Sequence, residues 1–158
     1  MSRILGIDPG TGILGFGIID TLPGGKAKLV DAGVIKTPAG EADAKRLLTI
    51  YDELSQVIKE HKPGVMAVER LFFAQNVTTA MTVSQARGVV LLCGEQNNLD
   101  LFEYTPLQIK QALTGYGRAD KKQIQEMVKI ILSLKEVPKP DDAADALATA
   151  ICCSMSMR

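Results

Sequence analysis

The sequence predicts an α/β fold in which a mixed β-sheet carries helices on both faces. Three observations lead to this prediction. Short apolar runs that end in Gly, Pro or an acidic residue alternate with longer amphipathic segments. These segments follow one another in the order βββαβαβααα, without an internal repeat. The chain has 158 residues, of which 23% are charged and 46% hydrophobic, so we expect residues 1–158 to form a single domain with one core.

The first three strands are predicted from apolar runs and turn residues. Residues 4–7 are apolar and stop at Asp8-Pro9-Gly10, as a buried strand does when it ends in a tight loop. Residues 15–20 and 26–37 alternate in the manner of strands on either side of Pro23-Gly24-Gly25. Together these segments predict a three-stranded meander.

A helix, a fourth strand and a long helix are predicted next. Residues 42–62 carry apolar side chains at the spacing of one helical face, and Pro63-Gly64 ends this pattern. Residues 65–68 form another apolar run, which ends in Glu69. Residues 77–96 then have the composition of a long helix.

The last third of the chain predicts one strand and three helices. The strand covers residues 101–105, and the first helix runs from Pro106, a residue suited to the first helical turn, to Gly115. The second helix covers residues 121–134. An Ala-rich helix over residues 141–155 ends the series.

Composition excludes several classes of protein. No apolar run approaches the roughly 20 residues of a membrane helix, and the first residues do not have the pattern of a signal peptide. The 3 cysteines do not form a disulfide framework, so we expect a cytoplasmic protein. Net charge is zero, but residues 106–139 contain 7 Lys and Arg against 3 Asp and Glu. This basic segment is a candidate contact for an anionic partner.

Four acidic residues occupy positions from which their side chains can lie close together. Asp8 and Glu69 each follow an apolar strand, and both project from one edge of the sheet if the two strands are parallel neighbours. Asp142 and Asp145 are three residues apart at the start of a helix and share one helical face. Taken alone, that pair has another explanation: Asp142 caps the helix, and Asp145 interacts with its positive end.

Carboxylates that converge at a sheet edge repel one another unless a cation compensates them. A site made only of oxygen ligands suits Mg²⁺ or Mn²⁺ rather than Zn²⁺. Paired metal ions in such sites promote cleavage of phosphodiester bonds. The four acids therefore predict a metal-dependent nuclease.

Four motifs in the sequence resemble those of the RuvC family, the bacterial Holliday-junction resolvases. They are Gly6-Ile7-Asp8-Pro9-Gly10-Thr11, Val68-Glu69-Arg70-Leu71-Phe72, Ser84-Gln85-Ala86-Arg87-Gly88 and Asp141-Asp142-Ala143-Ala144-Asp145-Ala146-Leu147-Ala148. The resemblance implies an RNase H-like fold with a mixed five-stranded sheet. It also implies a homodimer that makes paired, symmetric, Mg²⁺-dependent nicks in four-way junction DNA and leaves 5′-phosphates. It further implies two metal ions per site, replaceable by Mn²⁺, and the branch-migration proteins RuvA and RuvB as partners.

The resemblance assigns roles to particular residues. Asp8, Glu69, Asp142 and Asp145 correspond to the catalytic, metal-binding acids. Lys110 and Lys121 correspond to lysines near the scissile backbone, and Phe72 to an aromatic residue that stacks at the opened junction. Asp141, next to Asp142, departs from the family pattern. The residues expected to contact DNA are Arg70, Phe72, Arg87, Lys110, Arg118, Lys121 and Lys122.

The first loop resembles the loops of two kinds of nucleotide-binding protein. Gly10-Thr11-Gly12-Ile13-Leu14-Gly15 matches the G-x-G-x-x-G fingerprint of dinucleotide-binding folds, with Asp31 further along. That fingerprint requires a helix to follow, whereas the next residues alternate like a strand. The sugar-kinase, actin and chaperone ATPase superfamily has a similar loop, but its members bind ATP between two domains and this chain has room for one.

Two further alternatives concern function and assembly. The chain could be a related RNase H-like nuclease that acts on another structured nucleic acid, or a junction-binding module without catalysis. The four intact acids disfavour the module. Ala80, Ser84 and Gly88 form a ridge of small residues on the long helix, which predicts either a dimer contact or close packing within the chain.

Overall fold

A computed structural model describes residues 1–70 and 77–157 of the chain. The elements follow in the predicted order. They are β1 Arg3–Asp8, β2 Ile13–Leu22, β3 Lys26–Lys36, α1 Asp43–His61, β4 Val65–Glu69, α2 Val77–Gln96, β5 Asp100–Tyr104, α3 Pro106–Thr114, α4 Lys121–Ile131 and α5 Asp141–Ser156. A short 3₁₀ turn, Pro23–Gly25, connects β2 and β3.

The five strands form one mixed sheet in the order β3-β2-β1-β4-β5. Strands β1, β2 and β3 are the predicted antiparallel meander, and β4 and β5 run parallel to β1. Ile7 pairs with Val68, so Asp8 and Glu69 follow neighbouring, parallel positions at one edge. We refer to it as the carboxyl edge of the sheet.

Helices cover both faces of the sheet, which confirms the predicted fold class. On one face, α3, α4 and α5 bury a core that includes Ile4, Ile109, Val128 and Ile151. On the other face, α1 and α2 cover a second set of buried side chains. These two apolar layers supply the main driving force for folding, at about 25 cal/mol for each Å² of apolar surface removed from water.

Glycines in β1 and β2 allow α5 to lie directly on the sheet. A Cβ atom at Gly6 would be 2.1 Å from the carbonyl oxygen of Ala146, and one at Gly15 would be 2.0 Å from that of Asp142. Gly15 is also the β2 partner of Asp8. The first turn of α5 is therefore held beside the end of β1.

The structure differs from the sequence prediction at the end of α4. The helix stops at Ile131, three residues before the predicted end, because Ser133 adopts a left-handed conformation with φ 54°. The 3 cysteines are free thiols and are buried, so they contribute to packing. Within the described residues, no helix is long and apolar enough to span a bilayer.

Candidate active site

Asp8 and Glu69 form the centre of the site at the carboxyl edge. Each is the last residue of a strand and directly follows four buried residues, so the sheet places both at the same edge. The two carboxyl groups lie close enough to interact, and each affects the pKa of the other.

Burial and mutual repulsion raise the pKa of three acids in the cluster. Burial, followed by the negative charges of Glu69, Asp145 and Asp142, raises the pKa of Asp8 to about 9. Burial also raises the pKa of Glu69, with the charge of Asp145 as the next cause. Burial raises the pKa of Asp145, although Lys121 opposes this rise. Residues from β1, β4 and α5 thus form one electrostatic cluster.

The geometry at the start of α5 decides between the two explanations of the aspartate pair. The N-cap of the helix is Pro140, and no side chain caps this end through a hydrogen bond. Asp142 lies within the first helical turn, so the alternative explanation that it caps the helix is wrong. Its carboxylate instead adds negative charge near Asp8.

Two lysines lie against the acids. Lys110, on α3, and Lys121, the first residue of α4, line a cavity of about 300 Å³ together with Glu69 and Asp145. The Nζ atom of Lys121 is 3.5 Å from Oδ2 of Asp145. Both lysines act to lower the pKa of Glu69. The cavity therefore combines acids with cations, as a site for a phosphate and a metal ion requires.

Asp141 holds Lys121 from outside the cluster. Its Oδ2 atom is 3.4 Å from Nζ of Lys121, and its Oδ1 atom accepts a hydrogen bond of 3.1 Å from Gln125. Sequence reasoning missed this contact, although a second acid beside Asp142 was visible as a departure from the family pattern. In this structure, Asp141 contacts a predicted DNA-binding lysine.

The remaining residues expected to contact DNA are placed differently. Arg118 and Lys122 are exposed, on the loop before α4 and in its first turn, and Arg70 is exposed directly after β4. Arg87 is half-buried and forms an ion pair with Glu103 of β5, and its DNA contact stays a prediction. Phe72 lies outside the described residues.

The acids are neighbours but do not form a closed cage. Across residues 1–70 and 77–157, no three Asp, Glu, His or Cys side chains are arranged as a ready-made metal-binding group. The donor set still suits a hard divalent cation, because it offers only carboxylate oxygens whose repulsion a cation would relieve. Burial is the largest cause of the raised pKa of Asp8, and the charges of the neighbouring acids are the next.

A comparison with known families identifies the chain's relatives. The model of the family "Crossover junction endodeoxyribonuclease RuvC" matches residues 4–153. The chain belongs to the RuvC family. The RuvC of Alkaliphilus oremlandii is 57% identical over 149 residues, which cover 94% of this chain and 90% of that protein. This family of endonucleases has the RNase H-like architecture described above.

Solved RuvC structures have the same fold. The structure of Thermus thermophilus RuvC superimposes with a TM-score of 0.92 and 37% identity, covering 99% of this chain and 95% of that one. The structure of T. thermophilus RuvC in complex with Holliday junction substrate gives a TM-score of 0.95 and 36% identity, covering 100% and 96%. Membership of the RuvC family also implies the use of a divalent metal ion.

Proposed function

We propose that the chain is a structure-selective endonuclease that resolves Holliday junctions in DNA recombination and repair. The observation that carries this proposal is that Asp8, Glu69 and the aspartates of α5 meet at one sheet edge. Binding alone gives no reason to bury repelling carboxylates. The RuvC relatives, one of them solved with its Holliday junction, support this choice of substrate.

We propose that Asp8, Glu69, Asp142 and Asp145 hold two Mg²⁺ ions, which Mn²⁺ can replace. When bound, such ions activate a water molecule and stabilise the leaving oxygen. Metal binding there would require the carboxylate forms of Asp8 and Glu69. Lys121 lies 3.5 Å from Asp145 and 3.4 Å from Asp141, so Asp141 would keep its ammonium group beside the cavity when Asp145 holds a metal ion.

Lys110 and Lys121 are the proposed phosphate contacts of the site. Both face the cavity that the acids line, and a lysine there stabilises the negative charge that develops on the phosphate during cleavage. In the proposed reaction, water attacks the phosphorus atom and the bond from phosphorus to O3′ breaks, which leaves a 5′-phosphate and a 3′-hydroxyl without a covalent protein intermediate. Arg70, Arg118 and Lys122 are exposed and are proposed to bind the DNA backbone further away. Phe72 is proposed to stack at the opened junction.

The proposed assembly is a two-fold symmetric homodimer in which each copy is one domain over residues 1–158. The outer face of α2 supports this assembly: Ser84 and Gly88 are exposed, and a Cβ atom at Gly88 would have no atom within 4 Å. Met81 and Leu92 are 60% and 53% exposed on the same helix. A C2 pair would place two sites on the two equivalent junction strands. RuvA and RuvB are proposed as the proteins that deliver the junction.

One experiment separates this function from its alternatives. A labelled four-way junction, a linear duplex and an RNA–DNA hybrid are incubated with the protein, with and without Mg²⁺. We expect paired, symmetric nicks in the junction alone, and only with the metal. Preferred cutting of the hybrid would indicate a different RNase H-like nuclease. Tight junction binding without any cutting would indicate a binding module.

A further inference from the structure

The loop that follows β1 is anchored away from the acids. Asp8 ends the strand, and residues 9–12 lead to the start of β2 at Ile13. The backbone N–H of Thr37 donates a hydrogen bond of 3.0 Å to the carbonyl oxygen of Gly12. The hydroxyl of Thr37 donates one of 2.5 Å to the carbonyl oxygen of Thr11. Two consecutive loop carbonyls are therefore held by one residue at the end of β3.

Thr37 is also the centre of a larger buried network. Its Oγ1 atom accepts a hydrogen bond of 2.9 Å from Nε of Arg46, on α1. The hydroxyl of Thr11 donates a hydrogen bond of 2.9 Å to the carbonyl oxygen of Thr82, on α2. Thr11 and Thr37 are only 8% and 7% exposed. The network thus connects the loop to β3, α1 and α2 in a region where an unpaired polar group costs about 1–3 kcal/mol.

The shape of the loop leaves little room for adjustment. A Cβ atom at Gly10 would be 2.2 Å from the carbonyl oxygen of Ile13. A Cβ atom at Gly12 would be 3.3 Å from an Nη atom of Arg46. The neighbour at Gly10 is backbone, which leaves no room there, whereas the neighbour at Gly12 is the end of the Arg46 side chain that also binds Thr37.

Asp8 depends on this loop because the sheet holds it on one side only. Pairing between β1 and β4 ends at Ile7 and Val68, and the remaining strand partner of Asp8 is Gly15 of β2. On the β4 side, no strand pairing extends to Asp8, so the residues that follow it in the chain complete the positioning of its backbone.

We propose that Thr37 is a positioning residue of the active site: its side-chain hydroxyl fixes the loop over residues 9–12 and thereby the direction of Asp8. The proposal rests on the proposed nuclease function, in which Asp8 binds metal. Thr37 touches neither the acids nor the cavity that the lysines line, so its effect is transmitted through the backbone of the loop.

The test compares Thr37→Val, which removes the hydroxyl at nearly constant shape, with Thr37→Ser, which keeps it. Thr21→Val is the matched control, because the Thr21 hydroxyl also bonds to backbone, accepting from the N–H of Ser2 at 2.8 Å, but at the opposite edge of the sheet. The readouts are kcat at saturating junction and Mg²⁺, junction affinity, and hydrogen exchange of residues 9–13 in the metal-free protein. Hydrogen exchange needs no metal and no activity.

We expect Thr37→Val to lower kcat by about 10- to 100-fold, as small displacements of reacting groups do, with unchanged junction affinity. Exchange in residues 9–13 should be faster than in Thr21→Val, and Thr37→Ser should restore both properties. Normal kcat in Thr37→Val, normal exchange in its loop, or equal damage in Thr37→Ser would each overturn the proposal. If the wild-type protein cuts no junction, the proposed function fails, and the exchange data still decide whether Thr37 fixes the loop.

Discussion

Gly15→Ala should move the aspartates of α5 away from Asp8 and Glu69 in the active site. The new Cβ atom would lie 2.0 Å from the carbonyl oxygen of Asp142 and 2.5 Å from its carbonyl carbon. Both are backbone atoms of the first turn of α5, so no side-chain rotation relieves the clash. The helix end, which carries Asp142 and Asp145, has to move away from β1 and β4, which carry Asp8 and Glu69.

The size of the effect follows from these distances. An ordinary contact of a Cβ atom lies at 3.4–4 Å, so the first turn of α5 must shift by more than 1 Å. Overpacking of this kind costs about 1–3 kcal/mol of folding stability. A displacement of about 1 Å among reacting groups lowers a catalytic rate by about 100-fold. We therefore expect a folded, less stable protein with a severe loss of cleavage.

The assay is single-turnover cleavage of a labelled four-way junction at saturating Mg²⁺, combined with thermal unfolding. Gly64→Ala is the control, since a Cβ atom there has no atom within 4 Å and Gly64 has no positive φ. A Gly15→Ala protein that cleaves as fast as Gly64→Ala would refute the reasoning. It would mean that the contact between α5 and β2 does not position the acids.

Four further outcomes are expected. Asp8→Asn and Glu69→Gln should each abolish cleavage and keep junction binding, because they remove metal-binding charge but no DNA contact; normal turnover in either variant would contradict the metal site. In thermal unfolding with EDTA, the protein should lose stability as pH rises toward 9. The pKa of Asp8 is raised from 3.8 to about 9 in the folded protein. Its stabilising contribution is therefore fully present below pH 3.8 and is lost as the pH rises through about 9. Asp8→Asn should flatten this dependence, and an unchanged profile would show that Asp8 does not hold the proton. Lys110→Ala and Lys121→Ala should lower the cleavage rate more than the affinity, and a change only in the salt dependence of binding would make them backbone contacts. Gly88→Leu should weaken the dimer in sedimentation velocity, and a variant that stays dimeric would place the interface elsewhere.

The element order and the meeting of the strand-end acids could be predicted from sequence because both depend on local patterns. Apolar runs with Pro and Gly at their ends mark the strands, and parallel neighbours bring Asp8 and Glu69 to one edge. The aspartates of α5 were predicted on one helical face. Whether Asp142 caps the helix depends on where the helix begins, and the spacing of residues in the sequence does not show that the N-cap is Pro140.

Other features depend on contacts between distant segments. The ion pair of Arg87 with Glu103 forms where α2 packs against β5. From its motif alone, Arg87 is only a candidate for DNA binding. The glycines of β1 and β2 make room for α5, but in the sequence Gly15 first suggests a nucleotide-binding loop. The buried hydroxyl of Thr37 stands at a strand end without any motif around it.

In the proposed active site, four acids form one metal centre: Asp8, Glu69, Asp142 and Asp145. Anomalous diffraction from crystals soaked in Mn²⁺ tests it most directly, because it locates the ion without relying on activity. We expect anomalous density in contact with Asp8 and the other acids, and its loss in crystals of Asp8→Asn. Density bound elsewhere, or density unchanged in the Asp8→Asn protein, would contradict the claim.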